Sequence, residues 1–291
     1  QELEELYLKI KEILDKEEGP FYFMDLHTTS SPTSPFLTVN DSLLNRNFTS
    51  NYPIPNILGI EEYLNGPLLS YINELGYVAF GFEGGQHDDE KAFLNHEAFI
   101  KLSIGIAGIG DRKLIEYDKN YNYLKNKGLG DSPYYEIIYR HEIHPDDEFK
   151  IQENFKNFQQ LEEGELIAIH NHQAIESKSN NLIFMPLYQS KGEDGFFIIR
   201  LIPKLFLNLS SFIRKLKMDN LLAALPGIHW QNEEKEALLV NKNIAKFFTK
   251  QLFHLFGYRN KTLDDKYWIM KSREKNSKYK EYRNQAWFKV N

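Results

Sequence analysis

The chain has 291 residues, of which 42% are hydrophobic and 14% aromatic, enough apolar material for a sizeable core over about two domain lengths. Its 41 acidic and 35 basic side chains give a formal charge of −6, which argues against a nucleic-acid binder, and no apolar run approaches the ~20 residues of a membrane span. The absence of cysteine removes disulfide scaffolds, thiolate zinc sites and cysteine nucleophiles, so any metal falls to His, Asp or Glu; it says little about compartment but is compatible with the cytoplasmic localisation expected here.

In chain order, Leu3, Leu6, Ile10, Ile13 and Leu14 recur at helical spacing, which predicts an amphipathic helix over residues 2–16, stopped by Gly19-Pro20. Phe21 to Met24 read as a short buried strand that delivers Asp25-Leu26-His27 into a Thr/Ser/Pro loop from Thr28 to Pro35. Ile60, Leu64, Leu68, Ile72 and Leu75 mark a second helix ended by Gly76. Tyr77 to Phe82 form another buried strand, running into Glu83-Gly84-Gly85-Gln86-His87. Asp88 is positioned to cap a helix extending to about Ile104.

This alternation of helix and strand predicts an α/β fold with a mainly parallel sheet flanked by helices. Beyond it, four short strand candidates (134–139, 166–169, 182–185 and 196–201) predict an appended small β-rich domain over 131–203. Helical pieces at 205–225 and 243–256 then predict a helical C-terminal extension over 204–291. The α/β domain accordingly spans 1–130.

Ligands of open α/β sheets bind beyond the carboxyl ends of the strands. Two strands here end in polar residues, one in Asp25-x-His27 and the other in Glu83-Gly84-Gly85. A histidine and a glutamate in these places suit a metal ligand and a general base, with the glycines leaving room for substrate. A strand-end histidine equally serves as a hydrogen-bonded structural residue. His87-Asp88-Asp89-Glu90 has metal-ligand spacing but opens a helix, where capping explains it. His141-x-x-His144 and His170-x-His172 lack an evident third ligand and read as surface or turn residues.

The segment Phe23-Met24-Asp25-Leu26-His27-Thr28-Thr29-Ser30-Ser31 resembles the strand-end motif of the succinylglutamate desuccinylase/aspartoacylase family, zinc enzymes related in fold to the zinc carboxypeptidases. Phe82-Glu83-Gly84-Gly85-Gln86-His87 is similar to that family's catalytic-glutamate segment. Arg140-His141 through Pro145, Asn157-Phe158-Gln159, Met185-Pro186-Leu187-Tyr188 and Gly192 to Phe197 resemble the β domain of its bacterial desuccinylase-like branch. The matches fall in the family's order over residues 20–200.

The resemblance implies that His27 is the last zinc-binding histidine and Glu83 the base that activates the zinc water, with one Zn2+ per chain. It implies a hydrolase that removes an acyl group from an N-acyl amino acid or a related small amide. Thr28, Thr29, Arg46, Gln86 and Tyr188 are the candidate pocket residues. The family's His-x-x-Glu pair, which supplies the other two ligands, does not occur before His27 and is expected upstream of Gln1. The arginine that the aspartoacylase branch carries ahead of its glutamate is also missing from Asn73-Glu74-Leu75-Gly76, against an N-acetylaspartate-type substrate. A zinc carboxypeptidase acting on short or modified peptides and a non-catalytic small-molecule-binding protein on the same scaffold are the competing readings. The expected partners are small molecules, with no nucleic acid and no membrane, and self-assembly is left open.

Overall fold

Helix α1 (Glu2–Lys16) forms as its spacing predicts, with Glu2, Glu4 and Glu5 in the first turn and Lys16 in the last complementing the helix dipole. The architecture is described from a computed structural model covering residues 2–63, 68–130, 132–189, 192–245, 250–262 and 266–288. Strand β1 (Tyr22–Thr29) is longer than the apolar run that announces it, so Asp25, His27, Thr28 and Thr29 are strand residues and the expected loop starts only at Ser30. Strand β2 (Phe36–Val39), helix α2 (Leu43–Thr49) and strand β3 (Asn56–Leu58) follow.

The expected second helix is divided. A 3-10 turn occupies Ile60–Glu62 and α3 occupies Leu68–Glu74, while Leu64 lies outside the described residues. Strand β4 (Val78–Gln86) carries Glu83, Gly84 and Gly85 inside the strand. Helix α4 (Glu90–Ala107) is capped by Asp89, whose side chain accepts from the Lys91 N–H. The expected cap, Asp88, instead turns the chain at a φ of 60°. Helix α5 (Tyr117–Lys127) leads to β5 (Tyr134–Glu142), β6 (Phe149–Ile151), β7 (Leu166–His170), β8 (Gln173–Glu176), β9 (Leu182–Phe184) and β10 (Asp194–Leu201).

One seven-stranded sheet runs β1-β4-β2-β3-β5-β10-β9. Its β1–β4, β2–β3 and β3–β5 pairings are parallel, and β2–β4, β5–β10 and β9–β10 are antiparallel. The fold is thus mixed α/β with a large sheet flanked by helices. The strands expected to make a separate β domain are shared out: β5, β9 and β10 extend the large sheet, and only β6-β7-β8 form a sheet of their own.

The C-terminal extension is not only helical. After α6 (Lys204–Lys215) and α7 (Asn220–Ala223), strands β11 (Ile228–Trp230) and β12 (Ala237–Asn241), helix α8 (Lys250–Leu255), and strands β13 (Tyr258–Thr262) and β14 (Tyr267–Ser272) build an antiparallel sheet β11-β12-β14-β13, and α9 (Tyr279–Tyr282) follows. Of the helix expected over 243–256, residues 246–249 lie outside the described residues.

The main core packs α2 and α4 on the large sheet through Leu44, Phe48, Phe80, Phe82, Phe99 and Leu102. The ring of Phe82 stacks on Phe99 at 4.0 Å, which seats α4 on one face of β4. Because side chains alternate along a strand, Glu83 projects from the other face. Tyr282 and Trp287, more than 200 residues from β1 in sequence, belong to this same core. Among the described residues no helix is long and apolar enough to cross a membrane.

Candidate active site

The parallel register of β1 and β4 sets Asp25 opposite Gly81 and His27 opposite Glu83. Registered neighbours, and residues two apart on one strand, share a face, so Asp25, His27 and Glu83 stand together near the carboxyl ends of two adjacent strands. His27 Nε2 lies 3.0 Å from Asp25 Oδ1, both side chains being about half exposed. Within the neutral imidazole, this contact favours the tautomer with hydrogen on Nε2.

Glu83 is the more buried member. Its Oε2 is enclosed with no hydrogen-bond partner among the described residues. Burial pushes its carboxyl up to about 7; His27 opposes that rise and the Asp25 charge adds to it. A buried carboxyl that titrates near neutrality close to the carboxyl ends of two strands can both take and return a proton. The sequence names His27 and Glu83 from their positions. The part Asp25 plays was missed, although its i, i+2 spacing to His27 was the available signal.

The glycines after Glu83 have a different use from the one expected. A Cβ on Gly84 would fall 2.1 Å from His96 Cε1, and one on Gly85, at φ +147°, 3.2 Å from Ala92 Cβ. They let α4 approach β4. His96 is fixed there, edge-on to Phe82 at 5.1 Å and bonded to the Ala92 carbonyl at 2.7 Å.

The other candidates are spread around this centre. Thr28 Oγ1 is 2.7 Å from His87 Nδ1, and the His87 N–H donates to the Thr29 carbonyl. Thr29 is buried and donates to the Ser31 carbonyl. Gln86 Nε2 donates to the Ser30 carbonyl at 3.3 Å. These three residues therefore lock the ends of β1 and β4 to each other and to the loop after them. Tyr188 joins from the segment after β9: its N–H reaches Ser30 Oγ at 3.4 Å, and its hydroxyl donates to the Gln152 carbonyl at 3.0 Å.

Arg46 is engaged elsewhere. It lies on α2, whose Asn45 bonds the backbone of Ala79 near the start of β4, and its guanidinium is held by Asp41. The histidine pairs also part company, since one member of each forms a chain in the β-rich region. Tyr139 hydroxyl meets His141 Nδ1 at 2.9 Å, His141 Nε2 meets His170 Nδ1 at 2.9 Å, and His170 Nε2 lies 3.2 Å from Asp147. Burial and His170 hold His141 below the usual histidine value. His144 contributes a backbone N–H to Asp147, and His172 is exposed. Among the described residues, no three His, Asp or Glu side chains are grouped to hold a metal ion.

No protein-family model matches the chain, nor does any curated protein. Among solved structures, the chain is similar to succinylglutamate desuccinylase from Vibrio parahaemolyticus, at 15% identity over 69% of this chain and 60% of that one, with a TM-score of 0.46. It is similar to the Vibrio cholerae succinylglutamate desuccinylase at 16% identity over 68% of this chain and 58% of that one, with a TM-score of 0.44. It is also similar to a succinylglutamate desuccinylase/aspartoacylase from Rhodobacter sphaeroides, at 12% identity over 62% of this chain and 58% of that one, with a TM-score of 0.43. The chain therefore spans less than two thirds of the length of each of these structures.

Proposed function

We propose that this chain carries the base and one metal ligand of a zinc-dependent hydrolase that removes an acyl group from an N-acyl amino acid or a related small amide. The observation that carries the reading is Glu83. Its carboxyl is buried, has one oxygen without a partner and ionises near neutrality, and it stands in register with a histidine braced by a carboxylate. The motif resemblance of residues 23–31 and 82–87 supports the same roles.

The donor set fits zinc in part. A ligating histidine commonly gives its second ring N–H to a carboxylate, which is the relation of His27 to Asp25, and its Nδ1 would hold the metal. Catalytic zinc takes three protein ligands, so two more are needed besides those the described residues group here. When bound, zinc would polarise the amide carbonyl and acidify a water molecule.

Glu83 takes a proton from the attacking water and hands it to the departing amine nitrogen, so the base of the first step is the acid of the second. The elevated value of its carboxyl suits both halves. We read the β-rich region, tied through Tyr188 to Ser30 three residues after His27, as narrowing the approach to Glu83. That favours small amides over extended polypeptides.

The metal assignment is tested in the full-length protein by His27→Ala. Its zinc content should fall to background while the thermal transition is retained, because His27 is half exposed and packs little. Full zinc occupancy in this variant would remove His27 from the ligand set. The substrate class is tested by comparing rates on N-acyl amino acids and on long peptides. Faster cleavage of polypeptides would favour the carboxypeptidase reading.

A further inference from the structure

The geometry points to a second binding site in this chain, a lysine-rimmed cavity that takes a nucleotide-sized polyanion bearing an aromatic ring. A cavity of about 890 Å³ opens between α2, α6 and the C-terminal sheet, a size within the usual range of small-molecule sites. It belongs to a different part of the molecule from Glu83. Arg46 on its wall is next to Asn45, which bonds Ala79 near the start of β4, and Glu83 lies four residues, about 13 Å of strand, further on.

Charge gives the cavity its character. The whole chain is acidic, yet the lining holds Arg46, Arg214, Lys215, Lys217, Lys235 and Lys275 against two carboxylates, Asp219 and Glu274. The arginines are already committed, both to Asp41 beneath the floor, with Arg214 also 3.3 Å from Glu274. Asp219 accepts from the Tyr258 hydroxyl at 3.0 Å. Lys217, Lys235 and Lys275 are exposed at its rim. Lys235 Nζ reaches the Asn220 side-chain oxygen at 3.3 Å and Lys275 a backbone carbonyl, both neutral acceptors that leave the ammonium charge uncancelled. Lys217 pairs with no carboxylate among the described residues. Like charges converging on one concavity focus the field there and raise the local concentration of anions. Compact ammonium groups suit phosphate oxygens as point charges.

The lining is also aromatic. Trp230, partly exposed, lines the cavity with Tyr279 and Phe288. Lys235 Nζ stands 5.6 Å from the Trp230 ring centroid, so the cationic and aromatic parts of the site adjoin. A bare inorganic anion would use only the lysines. A nucleotide uses both, with phosphates at the rim and the base stacked against the indole.

The test is calorimetric titration of the full-length protein at low salt with three probes: ATP, tripolyphosphate and adenosine. ATP should bind at least about tenfold more tightly than either fragment, and its affinity should fall as salt rises. Lys217→Glu with Lys235→Glu should weaken ATP at least about tenfold with the thermal transition unmoved, and Lys217→Arg with Lys235→Arg should restore it. Absence of ATP binding, or equal affinity in the charge-reversed variant, would overturn the site. Tripolyphosphate binding as tightly as ATP would overturn the aromatic half of the proposal.

Discussion

Asp41 shows how single residues fasten this molecule. Its carboxylate accepts from Arg46 and from Arg214 at 2.8 Å, and the Arg214 side chain is fully enclosed. Burial alone would raise its pKa, but Arg214 and Arg46 hold it far below the ordinary 3.8. A depressed carboxylate contributes stability above its unfolded value and loses it as pH falls through that value toward the folded one. Asp41→Asn should therefore cost about 3–5 kcal/mol at neutral pH, since it leaves Arg214 buried and undercompensated. The loss should shrink below pH ~3.8, which urea titrations at pH 7 and pH 3 would read. A pH-independent difference would contradict the ion-pair account. Gly84 offers a second test at this scale. Gly84→Ala should destabilise by about 1–3 kcal/mol through its collision with His96. Much of that should return in Gly84→Ala with His96→Ala, so strict additivity in this double-mutant cycle would mean that the contact is not the cause.

At the scale of elements, the C-terminal part is bound into the first sheet. Arg273 pairs with Glu61 at 2.8 Å and Glu62 at 2.6 Å, and Lys271 with Glu74 at 2.7 Å. The Tyr282 hydroxyl accepts from the Val78 N–H at 3.1 Å and donates to the Phe21 carbonyl. Trp287 packs against Phe48 at 4.8 Å and donates to the Tyr22 hydroxyl at 2.9 Å. Trp287→Ala should consequently cost about 3–5 kcal/mol of the main unfolding transition. A main transition that stays in place would mean that this segment folds apart from the large sheet. None of this was legible in the sequence. The end of the chain has no helical or alternating period of useful length, and the pairing of residue 22 with residue 287 is a long-range event that local patterning does not encode. Strands β2 and β3 escaped for a related reason. At four and three residues they are too short to show alternation, and their neighbours in the sheet define them.

For the whole molecule, what the sequence carried was the α/β character and the two strand ends. Apolar runs of fixed length followed abruptly by Asp-x-His and by Glu-Gly-Gly are local features, so they survive without knowledge of the fold. The division into three consecutive domains did not come through. The strand candidates at 134–139, 182–185 and 196–201 look like part of an independent β unit in sequence, yet β3–β5 pairing attaches them to the first sheet. The roles of Asp25 and of Gly84 likewise depended on which residues face each other across β1, β4 and α4. The β1–β4 register sets His27 beside Glu83, whose Oε2 is enclosed with no hydrogen-bond partner among the described residues. The decisive measurement is turnover and zinc content on one preparation of full-length Glu83→Gln, assayed on an N-acyl amino acid. Glutamine keeps the shape of the side chain but takes no proton near neutrality. Positioned bases contribute about 10²–10⁴-fold, so kcat should fall by at least about a hundredfold with zinc content unchanged. Turnover near that of the unaltered protein, with zinc bound, would contradict the assignment of Glu83 as the base.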